Sequence, residues 1–441
     1  MKNPILSKHF QEIKPSVIRI AQILFSKRKE KIDAINTAIG NVSLPMHPAM
    51  QRRMFNLDTS DSPFKTGVVG YTATIGMEET NKAFLNIIAS SGFSTKGLFT
   101  QITDGGSQAM ELVILGTCGR AGTNEKPLLL IDPAYTNYLA MAKRLGRKTV
   151  SVMRVLNHRG EFALPDLEKI EKIIVKNKPG AIVVIPYDNP TGQHFDNKTM
   201  IKLAKLCVKY NLWMISDEAY RELCYDEKEI ISIWKLSEKD VQGIKGRRIS
   251  IESSSKVWNA CGLRIGAIVT DNKLFHEQCV AENTANLCSN AIGQYIFGSL
   301  ANESHSALQK WYRKQRKYYK AMLTSLTNEL EKKVPGIIVS IPAAAIYSVI
   351  DVRNVTKPGF DAAEFVKFCA TKGKVKIGKH NYTLLVAPMN GFYSVRPGEK
   401  NPGKTQMRIA YVEKPERIQL VPELFAKLLK EYEKANSNSG Y

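Results

Sequence analysis

Residues 181–192 read AIVVIPYDNPTG. The unbroken apolar run Ala181–Pro186, closed by Asn-Pro-Thr-Gly, predicts a strand buried on both faces that ends in a polar turn. The same grammar recurs on either side. Short apolar runs at Pro127–Ile131, Val150–Arg154, Trp213–Ser216, Ile249–Glu252 and Ile265–Thr270 predict more strands. Amphipathic stretches at Tyr138–Leu145, Asp166–Val175 and Lys198–Tyr210 predict the helices between them. In the last of these, Met200, Leu203, Ala204 and Cys207 share one helical face. Continuous apolar strands alternating with helices predict an α/β fold, a mostly parallel sheet covered by helices on both faces. Ligands on such sheets bind beyond the carboxyl ends of the strands, so the polar residues just after each run are the candidates for chemistry.

The chain has 441 residues, and single hydrophobic cores stop growing near ~250–300 residues, so more than one packing unit is expected. After Asn290 the texture changes. Ala291–Lys333 reads as a long charged helical region, followed by strand-like Ile337–Ser340 and Ile346–Val352. A helix near Asp361–Lys372, a strand Met407–Val412 and a final helix from Pro415 to about Lys434 complete a smaller α+β unit. The expected division is an N-terminal arm (1–48) packing on the small unit, a large domain (49–300) and a small domain (301–441).

Composition removes several classes. A hydrophobic share of 44% excludes a disordered, collagen-like or coiled-coil chain. No signal peptide is read at the N-terminus and no apolar run nears the ~20 residues of a membrane span, so a soluble, cytoplasmic protein is expected. Seven scattered cysteines without a CxxC pair fit reduced thiols better than disulfides or zinc. The seven histidines are dispersed, with no HExxH, so no metal is expected. The one abnormal number is charge, 63 Lys+Arg against 41 Asp+Glu, net +22. It fits nucleic acid, an anionic cofactor or substrate, or only a basic surface.

One motif misleads. Gly398–Thr405, GEKNPGKT, matches the phosphate-cradling GxxxxGK[ST] pattern. That loop works by opening a helix whose N-terminus binds phosphate, whereas Gln406–Val412 alternates like a strand, so a polar loop is expected here.

Four segments at strand ends carry more. Tyr187–Gly192 reads YDNPTG, Ser216–Tyr220 reads SDEAY, Glu252–Lys256 reads ESSSK, and Arg264 stands in GLRIGA. Together they resemble the class I/II family of pyridoxal-phosphate-dependent aminotransferases, the aspartate-aminotransferase-like fold type I, over most of the chain from Gly40 to Arg408. The resemblance implies a large domain with a seven-stranded sheet, a small C-terminal α+β domain, pyridoxal 5′-phosphate as cofactor, and amino-acid and 2-oxo-acid substrates.

It also implies roles. Lys256 would hold the cofactor aldehyde and shuttle a proton, a task suited to a partly desolvated amine. Asp217 would face the pyridine nitrogen and keep it protonated, although an Asp after a strand also serves as a helix cap. Tyr220 and Asn189 would bond the ring hydroxyl; read alone, Asn189–Gly192 is a plain turn. Gly106 and Ser107, at a helix entry, would take the phosphate with Ser253, Ser255 and Arg264. Tyr135 matches the aromatic that stacks on the ring. Tyr71 matches the tyrosine that reaches the neighbouring subunit's phosphate, which implies a homodimer with shared sites. Arg408 would grip the substrate α-carboxylate bidentately, with the Gly40 backbone beside it.

The match departs in one place. Aspartate-specific members of one subgroup take the side-chain carboxylate with an Arg after the lysine, yet no Arg occurs between Arg264 and Arg313. Glutamate/2-oxoglutarate as one substrate pair is a family-level expectation. A lyase of the C–S β-elimination type uses the same cofactor site and is the alternative on this scaffold. A cofactor-binding regulator is a third reading, but the segment before Gly40 shows no basic recognition helix. With these motifs the charge no longer calls for a nucleic-acid partner.

Overall fold

The computed structural model describes residues 4–119, 122, 125–163, 167–225, 229–396 and 398–437. Ala181–Val184 lies fifth in a seven-stranded sheet, in the order Phe99–Thr103, Gly266–Thr270, Arg248–Ser253, Trp213–Asp217, Ala181–Val184, Leu128–Asp132, Thr149–Met153. The last five run parallel, and Gly266–Thr270 is antiparallel to both its neighbours. Side chains alternate across the sheet as a strand requires. Ala181 and Val183 enter one apolar cluster with Ala109, Met110 and Val113 of the helix Gly105–Cys118. Ile182 and Val184 enter the other, with Met200, Leu203, Ala204 and Cys207 of the helix Asn197–Lys209. The α/β sandwich read from the apolar runs is the fold.

Boundaries moved by one or two residues at most strands. The helix read from Asp166 starts at Leu167 in the structure, and Asp166 itself lies outside the described residues. Phe99–Thr103, FTQIT, went unread because its mixed polar pattern suits the antiparallel edge of the sheet rather than its centre.

The region after Asn290 is less continuous than its sequence suggests. Ala291–Gly298 and His305–Lys333 are separate helices, and the Ser304 hydroxyl caps the second by accepting from the Ala307 N–H at 3.2 Å. The final helical stretch is also split, into Pro415–Ile418 and Val421–Ser437. Pro422 suits the first turn of the second piece, where a missing N–H costs nothing. A four-stranded antiparallel sheet holds Ala387–Pro388, Gln406–Ala410, Tyr347–Asp351 and Ile338–Val339. Asp33–Asn36 pairs in parallel with His380–Leu385, whose other edge carries Val375–Ile377. A parallel pairing across some 350 residues leaves no local trace, which is why Asp33–Asn36 is not foreseen as a strand.

Within 398–405, Pro402–Thr405 form a 3-10 turn that leads into the strand Gln406–Ala410, with Gly403 buried against the Met389 backbone. No helix follows, so the phosphate-loop geometry is absent there. Among the described residues no helix is long and apolar enough to cross a membrane, and no group of three or more His, Cys, Asp or Glu is placed to hold a metal ion.

The sheet meets the helix Gly105–Cys118 at a point of close backbone approach. A Cβ on Gly266 would lie 2.5 Å from the Gly105 carbonyl carbon and 2.6 Å from the Gly106 nitrogen, neither of which can swing aside. Gly266→Ala should therefore lower unfolding stability by about 1–3 kcal/mol in urea titration, the cost of overpacking. An unchanged midpoint would show that the helix entry can shift without cost.

Candidate active site

A cavity of about 880 Å³ opens at the carboxyl ends of the central strands. Register explains the convergence. Asp217 ends its strand opposite Ile251, and Ser253 ends the next opposite Gly266. The turn after Ala181–Val184 brings Asn189 to the same rim, and Ser255 and Lys256 follow the Arg248–Ser253 strand directly. Gly106 and Ser107 arrive in the first turn of the helix Gly105–Cys118.

The half-buried Lys256 donates from Nζ to the Gly40 carbonyl at 2.5 Å. Gly40 has no room for a side chain, because a Cβ would strike the Tyr347 hydroxyl and stand 3.2 Å from Lys256 Nζ. Tyr347 Oη in turn lies 2.8 Å from Tyr220 Oη. Amine, glycine carbonyl and two phenols thus form one contiguous polar wall.

Asp217 accepts from the Tyr138 hydroxyl at 2.5 Å and from the Ala219 N–H at 3.1 Å. Burial pushes its carboxyl above the ordinary aspartate range, against the pull of those two hydrogen bonds. Tyr138 is held protonated, because burial and the neighbouring carboxylate both raise it well above the usual phenol value. Tyr135 stands edge-on to Tyr138, ring centroids 5.5 Å apart, and burial lifts its hydroxyl to about 12.

Arg408 is 1% exposed. Its guanidinium donates to Asn189 Oδ1 at 2.9 Å and to the Ala38 carbonyl at 2.6 Å, and lies 4.3 Å from the Tyr347 ring centroid. Nε has no hydrogen-bond partner among the described residues. Because Asn189 spends its carbonyl on Arg408, its amide N–H₂ is left as donor.

The remaining polar corner is built for an anion. Gly105 has φ +75°, and a Cβ there would collide with the Arg264 guanidinium at 2.6 Å. Arg264 donates to the Cys261 carbonyl at 3.2 Å and to the Asp104 carbonyl at 3.4 Å, and among the described residues it makes no ion pair with a carboxylate. Ser253 Oγ accepts from the Ser255 N–H at 3.1 Å. Guanidinium, hydroxyls and the N–H groups of a helix start surround the same space.

Twelve of the thirteen residues singled out in the sequence therefore line one cavity. Tyr71 does not; it is 82% exposed on the surface of this chain. Among the lining residues not singled out in the sequence are Tyr138, Tyr347 and Arg19. Tyr138 closes the segment DPAYTNY that carries Tyr135, and Tyr347 is a strand residue whose polar end meets the site only through tertiary packing. Arg19 comes from the N-terminal helix Val17–Phe25, remote in sequence from every motif.

Removing the Tyr138 hydroxyl takes away one of the two bonds that favour the Asp217 carboxylate. In Tyr138→Phe, carbon-13 titration of Asp217 should give a midpoint above that of the parent, itself above the ordinary range. The sign follows from the raised folded value: the proton held in the fold stabilises it below the unfolded value near ~3.9, and that stability is lost as pH rises through the folded midpoint. A midpoint unmoved by the substitution would contradict the hydrogen bond's role.

Comparison with known proteins agrees with this geometry. The sequence profile of the Aminotransferase class I and II family matches residues 68–392. The chain is 24% identical over 398 residues to an aspartate aminotransferase of Sulfurisphaera tokodaii, covering 89% of each. It is 29% identical over 237 residues to a 2-aminoadipate transaminase of Thermus thermophilus, covering 53% of this chain and 56% of that one. Its fold superposes on Thermus thermophilus aspartate aminotransferase with maleate at a TM-score of 0.77, with 20% identity, over 97% of this chain and all of that one. The profile spans well over half of the chain, from the surface loop bearing Tyr71 through the rim of the cavity, and the protein is a member of the class I and II aminotransferase family.

Proposed function

We propose that this protein is a pyridoxal-phosphate-dependent aminotransferase that moves an amino group between an L-amino acid and a 2-oxo acid. The observation that carries the reading is the coexistence, in one cavity, of a half-buried amine (Lys256), a deep carboxylate (Asp217), a carboxylate-free anion corner (Arg264) and a buried guanidinium with an unpartnered Nε (Arg408). Those four groups fit the cofactor and its substrate. Gly106, Ser107, Ser253, Ser255 and Arg264 would hold the phosphate, Asp217 the pyridine nitrogen, Asn189 and Tyr220 the ring hydroxyl, and Tyr135 the ring face. When bound, the cofactor supplies an electron sink for the charge left on the substrate α-carbon after its proton departs.

The chain's own residues do the rest. Arg408, fixed by Asn189 and Ala38, presents a planar fork to the α-carboxylate and orients the α-hydrogen. Lys256 Nζ, now held by Gly40, is the base within reach of that hydrogen and returns the proton on the far side of the exchange. Tyr220 and Tyr347, joined through their hydroxyls, complete the wall beside it.

Glutamate/2-oxoglutarate as one pair is supported by Arg19. It lines the cavity, its charge acts on the Tyr135 hydroxyl, and its side chain has no hydrogen bond or ion pair among the described residues. Glu413, which also lines the cavity, is already engaged by the Asn36 N–H and Arg417 Nε, each at 3.0 Å. A distal substrate carboxylate would therefore find Arg19 unoccupied. This route differs from the missing Arg after Lys256, and similarity to aspartate and 2-aminoadipate enzymes agrees with it. A homodimer completes the reading: Tyr71 stands beside exposed Val68 and Val69, a surface suited to cover by a second copy.

Two outcomes test this. Purified protein with pyridoxal phosphate should show a yellow band near ~420 nm that Lys256→Ala abolishes together with turnover, falling on the order of a thousandfold. A colourless parent, or pyruvate and ammonia released without any oxo acid, would contradict transamination. Arg19→Ala should raise KM for 2-oxoglutarate about tenfold, the worth of one charge-assisted hydrogen bond, and leave neutral amino donors within about twofold. Equal losses for both would remove Arg19 from recognition.

A further inference from the structure

Directly behind the cavity lies a set of charged residues that the function above does not use. Glu218, Arg221 and Glu252 are 2%, 2% and 3% exposed, and none of them lines the cavity. Each is the chain neighbour of a residue that does: Asp217, Tyr220 and Ser253.

Their side chains form one network. Arg221 Nη2 pairs with the Glu252 carboxylate, and Nη1 lies 3.4 Å from Glu218 Oε2 and donates to Ser232 Oγ at 2.9 Å. Glu218 Oε1 accepts from Ser216 Oγ at 2.8 Å, Ser232 Oγ at 3.0 Å and the Ile233 N–H at 2.9 Å. Glu252 Oε1 accepts from Ser250 Oγ at 2.7 Å, and Ser250 accepts from Trp234 Nε1 at 3.1 Å. The backbone joins in, since the Glu218 N–H donates to the Ile251 carbonyl at 2.9 Å.

Two carboxylates against one guanidinium is a costly thing to bury, and apolar side chains of similar volume commonly give equal or greater stability. Burial pushes the Glu252 carboxyl above its ordinary range, against the pull of the Arg221 guanidinium. What a hydrogen-bonded ion network supplies that an apolar core lacks is directional fixing of the strand ends that carry it. Here those ends are Trp213–Asp217 and Arg248–Ser253.

We propose that Glu218, Arg221 and Glu252 are positioning residues, which together fix the separation between the ring-binding end (Asp217, Tyr220) and the phosphate-binding end (Ser253, Ser255) of the cofactor site. The inference rests on the functional reading above for what the site holds. It adds that the site's geometry is set from behind, by side chains that never touch the ligand.

The experiment compares Arg221→Lys, Glu252→Gln and a control, Arg248→Met. The control breaks the Arg248–Asp271 pair at the far end of the same strand, away from the cavity. Pyridoxal phosphate affinity is read from the visible band, stability from urea titration, and amide exchange over 217–221 and 253–255 on cofactor-free protein. Both network variants should weaken cofactor binding at least fivefold and speed exchange in both segments. Arg248→Met should lose stability while holding the cofactor within fivefold of the parent. Binding within fivefold in both network variants, or equal weakening by the control, overturns the proposal. Should Arg221→Lys not fold, the isosteric Glu252→Gln decides alone. A parent that never binds pyridoxal phosphate overturns the functional reading instead, and the exchange measurement on cofactor-free protein then decides the positioning by itself.

Discussion

A guanidinium buried to 1% exposure must be compensated, and the way Arg408 is compensated organises this molecule. One of its nitrogens bonds Asn189 in the turn after a strand of the large sheet, and another bonds Ala38 near the N-terminus. Arg408 itself sits on the four-stranded sheet, paired with Val349 and Ala387. Three chain segments separated by hundreds of residues are thus held at one point by two hydrogen bonds. The third nitrogen, Nε, has no hydrogen-bond partner among the described residues. A fork with two fixed prongs and a donor to spare is the arrangement that a carboxylate completes.

The same economy runs through the rest of the cavity, where side chains serve the site by constraining one another. Asn189 spends its carbonyl on Arg408 and so must present its amide as a donor. Tyr138 commits its hydrogen bond to Asp217, opposing the burial that raises the acid. Gly40 gives Lys256 a carbonyl to rest against and, by lacking a side chain, leaves Tyr347 and the lysine their positions. Gly266 allows the helix entry to reach the sheet, which brings the N–H groups of 106 and 107 to the same corner as Arg264.

Much of this was legible in the residues, and the reason is local. Apolar runs such as Ala181–Pro186 declare buried strands wherever they occur, and a polar cluster just beyond a strand end marks the rim of a parallel sheet. YDNPTG, SDEAY and ESSSK each satisfy that rule on their own. What stayed hidden depends on distance in sequence. Asp33–Asn36 becomes a strand only by pairing with His380–Leu385. Arg19 reaches the cavity only because its helix is folded back onto it, and Tyr347 only because its strand pairs with the one that carries Arg408. The phosphate-loop match at Gly398–Thr405 shows the converse, a perfect local pattern with the wrong element after it.

The account centres on one amine among 63 Lys+Arg residues. Its most direct test is to incubate the protein with pyridoxal phosphate, reduce it with borohydride and map the modified peptides by mass spectrometry. A single stoichiometric modification, on Lys256, is the expected result. Modification spread over surface lysines, or none at Lys256, would contradict it.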